Sequence, residues 1–136
     1  MYDKKVAIVI KDDLMQWQKM NIVSFLASSV AISFPETHGG SFITSDNVKF
    51  LPFIKHPILI FKAETTEKLL RAFQRARDRE LEIGVYTKQL FDTRSEEENI
   101  KEIATRTINE LDLVGIIVYG ENKKVDKAID GLKFHE

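Results

Sequence analysis

Four short apolar runs, each bounded by charged or turn-forming residues, most constrain what this chain can fold into. The runs lie at residues 6–10, 58–61, 83–86 and 113–119, and the first of them contains no polar residue. A short run of branched apolar residues is typical of a β-strand that is covered on both faces. The sequence therefore predicts four buried strands.

Apolar residues spaced three and four positions apart predict helices between and after these strands. The predicted helices cover residues 16–31, 66–79, 96–107 and 122–130. The first has apolar residues on so much of its circumference that we expect it to be largely buried. Asp13 is the predicted N-cap of the first helix, and Thr65 or Thr66 is the predicted N-cap of the second.

Between the first helix and the second buried strand, the sequence predicts a β-hairpin. Residues 41–44 and 48–51 would form its two strands, and Ser45-Asp46-Asn47 suits the turn. Strands that alternate with helices predict an α/β fold, here a three-layer α/β/α sandwich around a mixed, mainly parallel sheet. No shift in composition marks a boundary, so we expect residues 1–136 to form a single domain.

Composition excludes several classes of function. The 20 basic and 21 acidic residues give a net charge of −1, which argues against a protein that coats nucleic acid. The lack of cysteine excludes disulfides, thiolate nucleophiles and cysteine-ligated zinc. His38, His56 and His135 lack metal-motif spacing, and no Walker loop or dinucleotide fingerprint is present, so no metal or cofactor is expected. The apolar runs are too short to cross a membrane, and we expect a cytoplasmic protein.

Polar residues gather after the first and third of the buried strands. Ligands in an open α/β sheet bind beyond the carboxyl ends of its strands. Lys11, Asp12 and Asp13 follow the first strand, and Thr87 and Asp92 follow the third. If these two strands are parallel neighbours, the side chains share one edge and could orient a water molecule or hold a phosphate. The alternative interpretation is that they are turn and capping residues.

Two further features admit both a functional and a structural interpretation. Trp17, the single tryptophan, could stack on a base or another ring, but its phase with the apolar residues of its helix favours burial. Basic residues at helical spacing form a stripe on the second helix that could follow a phosphate backbone. Nearby acidic residues favour a solvated face with local ion pairs instead. The stripe consists of Lys68, Arg71, Arg75 and Arg79.

Several segments resemble a known family. Residues 5–14 resemble the opening strand and Asp-Leu turn of type-2 peptidyl-tRNA hydrolases, and Lys19 is similar to the helix lysine of that family. Residues 57–86 resemble its middle strand–helix–strand unit, and residues 113–134 resemble its last strand and helix. The aspartate that the family carries after the third strand has no counterpart at residues 87–89, where the sequence reads Thr-Lys-Gln.

A closer resemblance is to an uncharacterised bacterial family of small proteins that share the type-2 peptidyl-tRNA hydrolase fold. It rests on Asp13-Leu14, Trp17-Gln18-Lys19-x-Asn21, Tyr86-Thr87-x-x-Leu90-Phe91 and residues 125–133. The fold that both resemblances imply agrees with the α/β sandwich that the apolar runs predict.

The resemblance to the hydrolases implies a function, and the polar residues at the predicted edge of the sheet supply the candidate site residues. The implied function is hydrolysis of a peptidyl- or aminoacyl-tRNA-like ester, so the expected partner is a tRNA-linked or small-molecule ligand. Lys19 would bind an anionic or carbonyl oxygen, and Asp13 or Asp92 would orient a water molecule. The residues expected to contact the substrate are Trp17, Asn21 and Thr87.

The alternative is a non-catalytic module on the same fold that binds a small molecule or a protein. Trp17 and the His38-Gly39-Gly40 loop would then form the contact surface, and an exposed Trp17 would favour this function. The related hydrolases are dimeric, which implies a homodimer. The hairpin residues expected at its interface are Phe42, Ile43, Phe50, Leu51 and Phe53.

Overall fold

A computed structural model describes residues 2–136 of the chain. Its strands are β1 (Lys4–Lys11), β2 (Phe42–Ile43), β3 (Lys49–Phe50), β4 (Ile58–Ala63), β5 (Glu82–Thr87), β6 (Leu113–Glu121) and β7 (Lys133–Phe134). Its α-helices are α1 (Gln16–Ser33), α2 (Thr66–Asp78), α3 (Glu96–Ala104) and α4 (Asn122–Ala128). The four strands predicted from the apolar runs, the four helices and the hairpin of β2 and β3 are all present, although β4 and β5 are only partly buried. None of these helices combines the length and apolar character that crossing a membrane requires.

Five of the strands form one mixed sheet in the order β5-β6-β1-β4-β7. β1 and β4 are parallel and the other adjacent pairs are antiparallel, so β1, β4 and β5 run in one direction and β6 and β7 in the other. β6 lies between β1 and β5, so the first and third buried strands are not the parallel neighbours that the shared edge would require. The physical reason is the long apolar run of β6, which is buried over residues 113–119 and therefore takes an interior position with a strand on each side.

Helices cover both faces of this sheet, which confirms the three-layer α/β/α arrangement. Successive residues of β1 point to opposite faces. Val6, Ile8 and Ile10 pack towards α1, while Ala7 and Val9 pack towards α2 and α4. All five side chains are almost completely buried. β1 therefore lies at the centre of the core, and its carboxyl end defines the edge of the sheet where α1 begins.

α1 has a different N-cap from the one that the sequence predicts. The cap is Met15, whose backbone N–H donates to the Gln18 side chain at 3.0 Å. Asp13 is therefore not the cap, and its side chain is 70% exposed. The predicted cap of α2 is confirmed, because the hydroxyl of Thr65 accepts the N–H of Lys68 at 3.2 Å.

A short strand that sequence reasoning misses brings the C-terminal part of the chain onto the sheet. β7 pairs with β4, and the Phe134 ring stacks on Phe61 with the ring centroids 4.6 Å apart. The next residue, His135, donates its backbone N–H to the Ile60 carbonyl at 2.9 Å. Two residues are too few for an apolar pattern to indicate a strand. This pairing nevertheless determines where His135 lies.

The hairpin projects from the sandwich, and we call residues 40–53 the arm. β2 and β3 form a separate two-stranded sheet, and the turn between them places Asn47 in the left-handed region with a φ of 69°. At the base of the arm, Gly39 donates its N–H to the Phe53 carbonyl at 2.8 Å. Every residue of the arm is exposed.

Candidate functional site

A polar cluster lies where β1 ends and α1 begins. The ammonium group of Lys19 donates to Asp12 Oδ1 at 3.1 Å and lies 3.0 Å from His135 Nε2. The other ring nitrogen of His135 lies 2.8 Å from the backbone carbonyl of Glu136, which can only accept a hydrogen bond. These partners assign the proton to Nδ1, so Nε2 accepts from Lys19. We call Asp12, Lys19 and His135 the Lys19 cluster.

The Lys19 cluster is partly buried and has further charged groups beside it. The side chain of Lys19 is only 16% exposed. Its hydrogen bond to Asp12 lowers the pKa of that carboxyl, which is therefore ionised at neutral pH. A second cation, Lys62, donates to the Glu136 carboxylate, and this bond raises the pKa of Lys62. This edge of the sheet thus holds two lysines and two carboxylates beside one imidazole.

Lys19 keeps unused hydrogen-bonding capacity in this arrangement. An ammonium group has three N–H donors, and Asp12 and His135 occupy two of them. The third can donate to an anion or to a carbonyl oxygen. A lysine that is held by a carboxylate and an imidazole is suited to stabilise negative charge as it develops on such an oxygen.

Sequence reasoning misses two members of the Lys19 cluster. It selects Asp13 in place of Asp12, although the alternation along β1 indicates the correct residue. Ile8 and Ile10 face α1. Alternate residues of a strand share a face, so Asp12, two positions after Ile10, is expected on the α1 side as well. His135 has no comparable signal, because its position depends on the pairing of β7 with β4.

The structure does not bring the predicted site residues into one cavity. Asp13 points into solvent, and Asp92 is exposed in a 3₁₀ turn at Lys88–Asp92. Thr87 is completely buried, and its hydroxyl has no hydrogen-bond partner among the described residues. Of the residues predicted to act on the substrate, only Lys19 belongs to the polar cluster.

Asn21 and Lys19 lie on opposite flanks of α1, because residues two positions apart on a helix point about 200° apart. Asn21 lines an open groove of about 880 Å³ between α1, β5 and α3. The walls of the groove are mainly apolar and include Phe25, Tyr86, Leu90, Phe91, Ile100 and Ile103. α1 therefore separates the groove from the Lys19 cluster.

Trp17 is 50% exposed, so the expectation that it is buried is wrong. Its ring rests edge-on against Phe91, a residue of the groove, with the ring centroids 5.6 Å apart. The buried face of α1 consists of Ile22, Leu26 and Val30. Because α1 also has apolar residues on its outer surface, apolar spacing cannot identify which face of this helix is buried.

A second polar cluster lies at the opposite edge of the sheet, beside the start of β1. His56 is almost completely buried between the rings of Tyr2 and Tyr119, whose centroids lie 4.3 Å and 5.8 Å away. The Tyr119 hydroxyl donates to Glu36 at 3.2 Å, and burial raises the pKa of Tyr119 to about 12. Burial also lowers the pKa of His56. No group of three or more histidine, aspartate or glutamate side chains that could hold a metal ion converges here or elsewhere in residues 2–136.

We expect acidification to destabilise the fold through His56. Because burial lowers the pKa of folded His56 below its ordinary value of 6.5, the folded state binds fewer protons than the unfolded state. The contribution to the free energy of unfolding is therefore complete above pH 6.5 and is lost as the pH falls below it. Urea titrations between about pH 5 and 8 should show this slope in the wild type and a smaller one in His56→Gln. Equal slopes would contradict the prediction.

Comparisons with known proteins give a family but no activity. A solved structure of a protein of unknown function from Agrobacterium tumefaciens strain C58 is similar over 100% of both chains, with a TM-score of 0.94 and 27% sequence identity. None of the functionally curated proteins matches the chain. The family model described as "Protein of unknown function (DUF2000)" matches residues 4–136. Because this match spans nearly the whole chain, the protein belongs to the DUF2000 family.

Proposed function

We propose that the protein is a hydrolase that cleaves a peptidyl- or aminoacyl-tRNA-like ester at the Lys19 cluster. The observation that carries this proposal is the contact of Lys19 Nζ with both Asp12 and His135, which leaves one N–H for a substrate oxygen. The resemblance of residues 5–14 and of Lys19 to the type-2 peptidyl-tRNA hydrolases supports an ester between an acyl group and a ribose as the substrate.

Each member of the Lys19 cluster has a part in the proposed reaction. Lys19 donates to the ester carbonyl oxygen and stabilises the oxyanion that forms when water adds to the carbonyl carbon. Asp12 orients that water through its second carboxylate oxygen and accepts one of its protons, while His135 Nε2 accepts the hydrogen bond of Lys19 and holds the ammonium group in place. The bond between the acyl carbon and the ribose oxygen then breaks, and the ribose oxygen takes the proton from Asp12. The products are a carboxylic acid and a free ribose hydroxyl.

The proposed reaction replaces the water-activating residues that the sequence predicts. Asp13 and Asp92 are both exposed and form no ion pair or hydrogen bond with Lys19 within the described residues. Asp12 is bonded to Lys19, and its lowered pKa keeps it ionised as a hydrogen-bond acceptor for water. The proposal therefore still uses a carboxylate to orient the water, but Asp12 supplies it in place of Asp13 or Asp92.

Lys19→Met should lower the rate of hydrolysis of a model peptidyl-tRNA by at least about 100-fold, the usual effect of removing a donor to an oxyanion. Methionine keeps the apolar stem of lysine and removes its charge and N–H donors. The matched control is Lys5→Met, because Lys5 pairs with Asp126 beside the start of β1, at the opposite edge of the sheet from the Lys19 cluster, and its loss should leave the rate unchanged. Release of the acyl group is the measurement. Equal rates in wild type and Lys19→Met, or no hydrolysis by wild type, would overturn the proposal.

A second candidate function is a non-catalytic module that binds a small molecule or a protein in the groove. The observation that favours it is the exposure of Trp17 beside a groove with mainly apolar walls, since concave apolar surfaces are typical of binding sites. The loop at His38, which the sequence predicts as part of the contact surface, does not line the groove, and its imidazole bonds the Ala31 carbonyl at the end of α1. Lys19 lies on the other flank of α1, so the two candidates place their ligands on different surfaces.

A further inference from the structure

The arm exposes six large apolar side chains. The exposed residues are Phe42, Ile43, Val48, Phe50, Leu51 and Phe53. An isolated two-stranded hairpin is only marginally stable in water and needs a further strand or a helix to cover its apolar face. Contiguous exposed apolar residues mark interaction surfaces in proteins that are not embedded in a membrane. The arm therefore needs a partner surface.

The groove beside α1 also exposes apolar side chains, as the arm does. Phe25 and Ile100 on its walls are both more than half exposed. Arg94 and Glu96 also line it, and within residues 2–136 neither forms an ion pair. The groove thus combines uncovered apolar walls with one unpaired cation and one unpaired anion.

The arm carries the complementary charges. Asp46 lies in its turn and Lys49 lies at the start of β3, and the described part of the chain provides no ion-pair partner for either. We propose that the arm of one copy binds in the groove of a second copy. In that arrangement Asp46 would lie near Arg94, and Lys49 would lie near Glu96, while the aromatic and aliphatic side chains of the arm cover the apolar walls.

A second copy is the occupant that accounts for both surfaces at once. Each chain has one arm and one groove, so two chains that exchange arms leave neither surface exposed. Such a pair is closed and has two-fold symmetry, which is the commonest symmetry of protein oligomers. This inference rests on the second candidate function, because it names the partner of the groove. It does not involve the Lys19 cluster.

Disulfide cross-linking of the full-length protein tests the inference directly, because the chain has no cysteine of its own. Leu51→Cys places a thiol on the arm, and Ile100→Cys places one in the groove. Both native side chains are exposed, so the fold should tolerate the changes. After the two variants are mixed and oxidised, mass spectrometry counts the covalent pairs that contain one chain of each kind. The control mixes Leu51→Cys with Ile32→Cys, since Ile32 is exposed on α1 but does not line the groove.

The expected result is an excess of about ten-fold or more of the arm–groove pair over the control pair, because bound surfaces raise the effective concentration of the thiols. Equal yields would overturn the inference and leave a small molecule as the ligand of the groove. Cross-linking of Leu51→Cys with itself would overturn it in favour of contact between two arms. A wild type that stays monomeric in sedimentation equilibrium would also overturn it. Hydrolysis is measured separately through Lys19→Met, so the two proposals fail independently.

Discussion

Ile8→Ala should lower the free energy of unfolding by about 4 kcal/mol, within the usual range for truncating a fully buried isoleucine. Ile8 has no exposed surface and lies in the middle of β1, between Ile60 of β4 and Ile117 of β6. On the face towards α1 it belongs to the same core cluster as Ile22. Hydrogen-bonded strands on both sides prevent the backbone from closing the cavity, so most of the lost packing energy remains lost.

Urea unfolding followed by far-ultraviolet circular dichroism measures this effect as a lower midpoint at an unchanged slope. The matched control is Ile32→Ala, which removes the same atoms from a side chain that is 80% exposed. The control should change the free energy of unfolding by less than about 0.5 kcal/mol. A similar loss in both variants would show that burial in β1 is not what holds the sandwich together.

Gly115→Val should lower the free energy of unfolding by about 3 kcal/mol, at the upper end of the range for overpacking a core. Gly115 lies in β6, where a Cβ atom would come within 2.6 Å of Ile22 Cγ2. Leu26 Cδ1 would be 3.6 Å away from the same position. The new side chain can be accommodated only if the Ile22 side chain leaves its packed position or α1 moves away from the sheet, and either change loosens this face of the core.

Gly40→Val is the matched control for Gly115→Val. A Cβ atom at Gly40 has no neighbour within 4 Å, and this glycine does not have a positive φ. Valine should therefore change the stability there by less than about 0.5 kcal/mol. Urea midpoints of the two variants give the comparison. If both variants were equally destabilised, loss of glycine as such, and not contact with Ile22, would be the cause.

The sequence predicts those parts of the fold that depend on local runs of apolar residues and on capping residues. The unbroken apolar runs indicate the four long strands correctly, and Thr65 correctly indicates the start of α2. The order of the strands does not follow, because β6 occupies a central position between β1 and β5 through contacts that no local pattern contains. β7 is missed for a related reason, since two residues carry no periodicity.

The resemblance to an uncharacterised family is confirmed by membership of the DUF2000 family. The segment Trp17-Gln18-Lys19-x-Asn21, on which this resemblance rests, contributes residues to both surfaces described above. Lys19 belongs to the polar cluster, Asn21 lines the groove, and Trp17 rests on Phe91 beside it. These three residues lie within five positions of the sequence, but their angular positions on α1 separate the two surfaces.

The amino-acid sequence alone determines the α/β class, the positions of the long strands and helices, and the presence of Lys19 at the start of α1. These properties depend on the spacing of apolar residues along the chain, which can be read directly from the sequence. Only the tertiary structure decides that Lys19 meets Asp12 and His135. His135 lies 116 residues from Lys19, and the two meet because β7 adds to the edge of β4. Pairing between distant strands depends on the whole sheet, so the chemistry of the site appears only after the fold is complete.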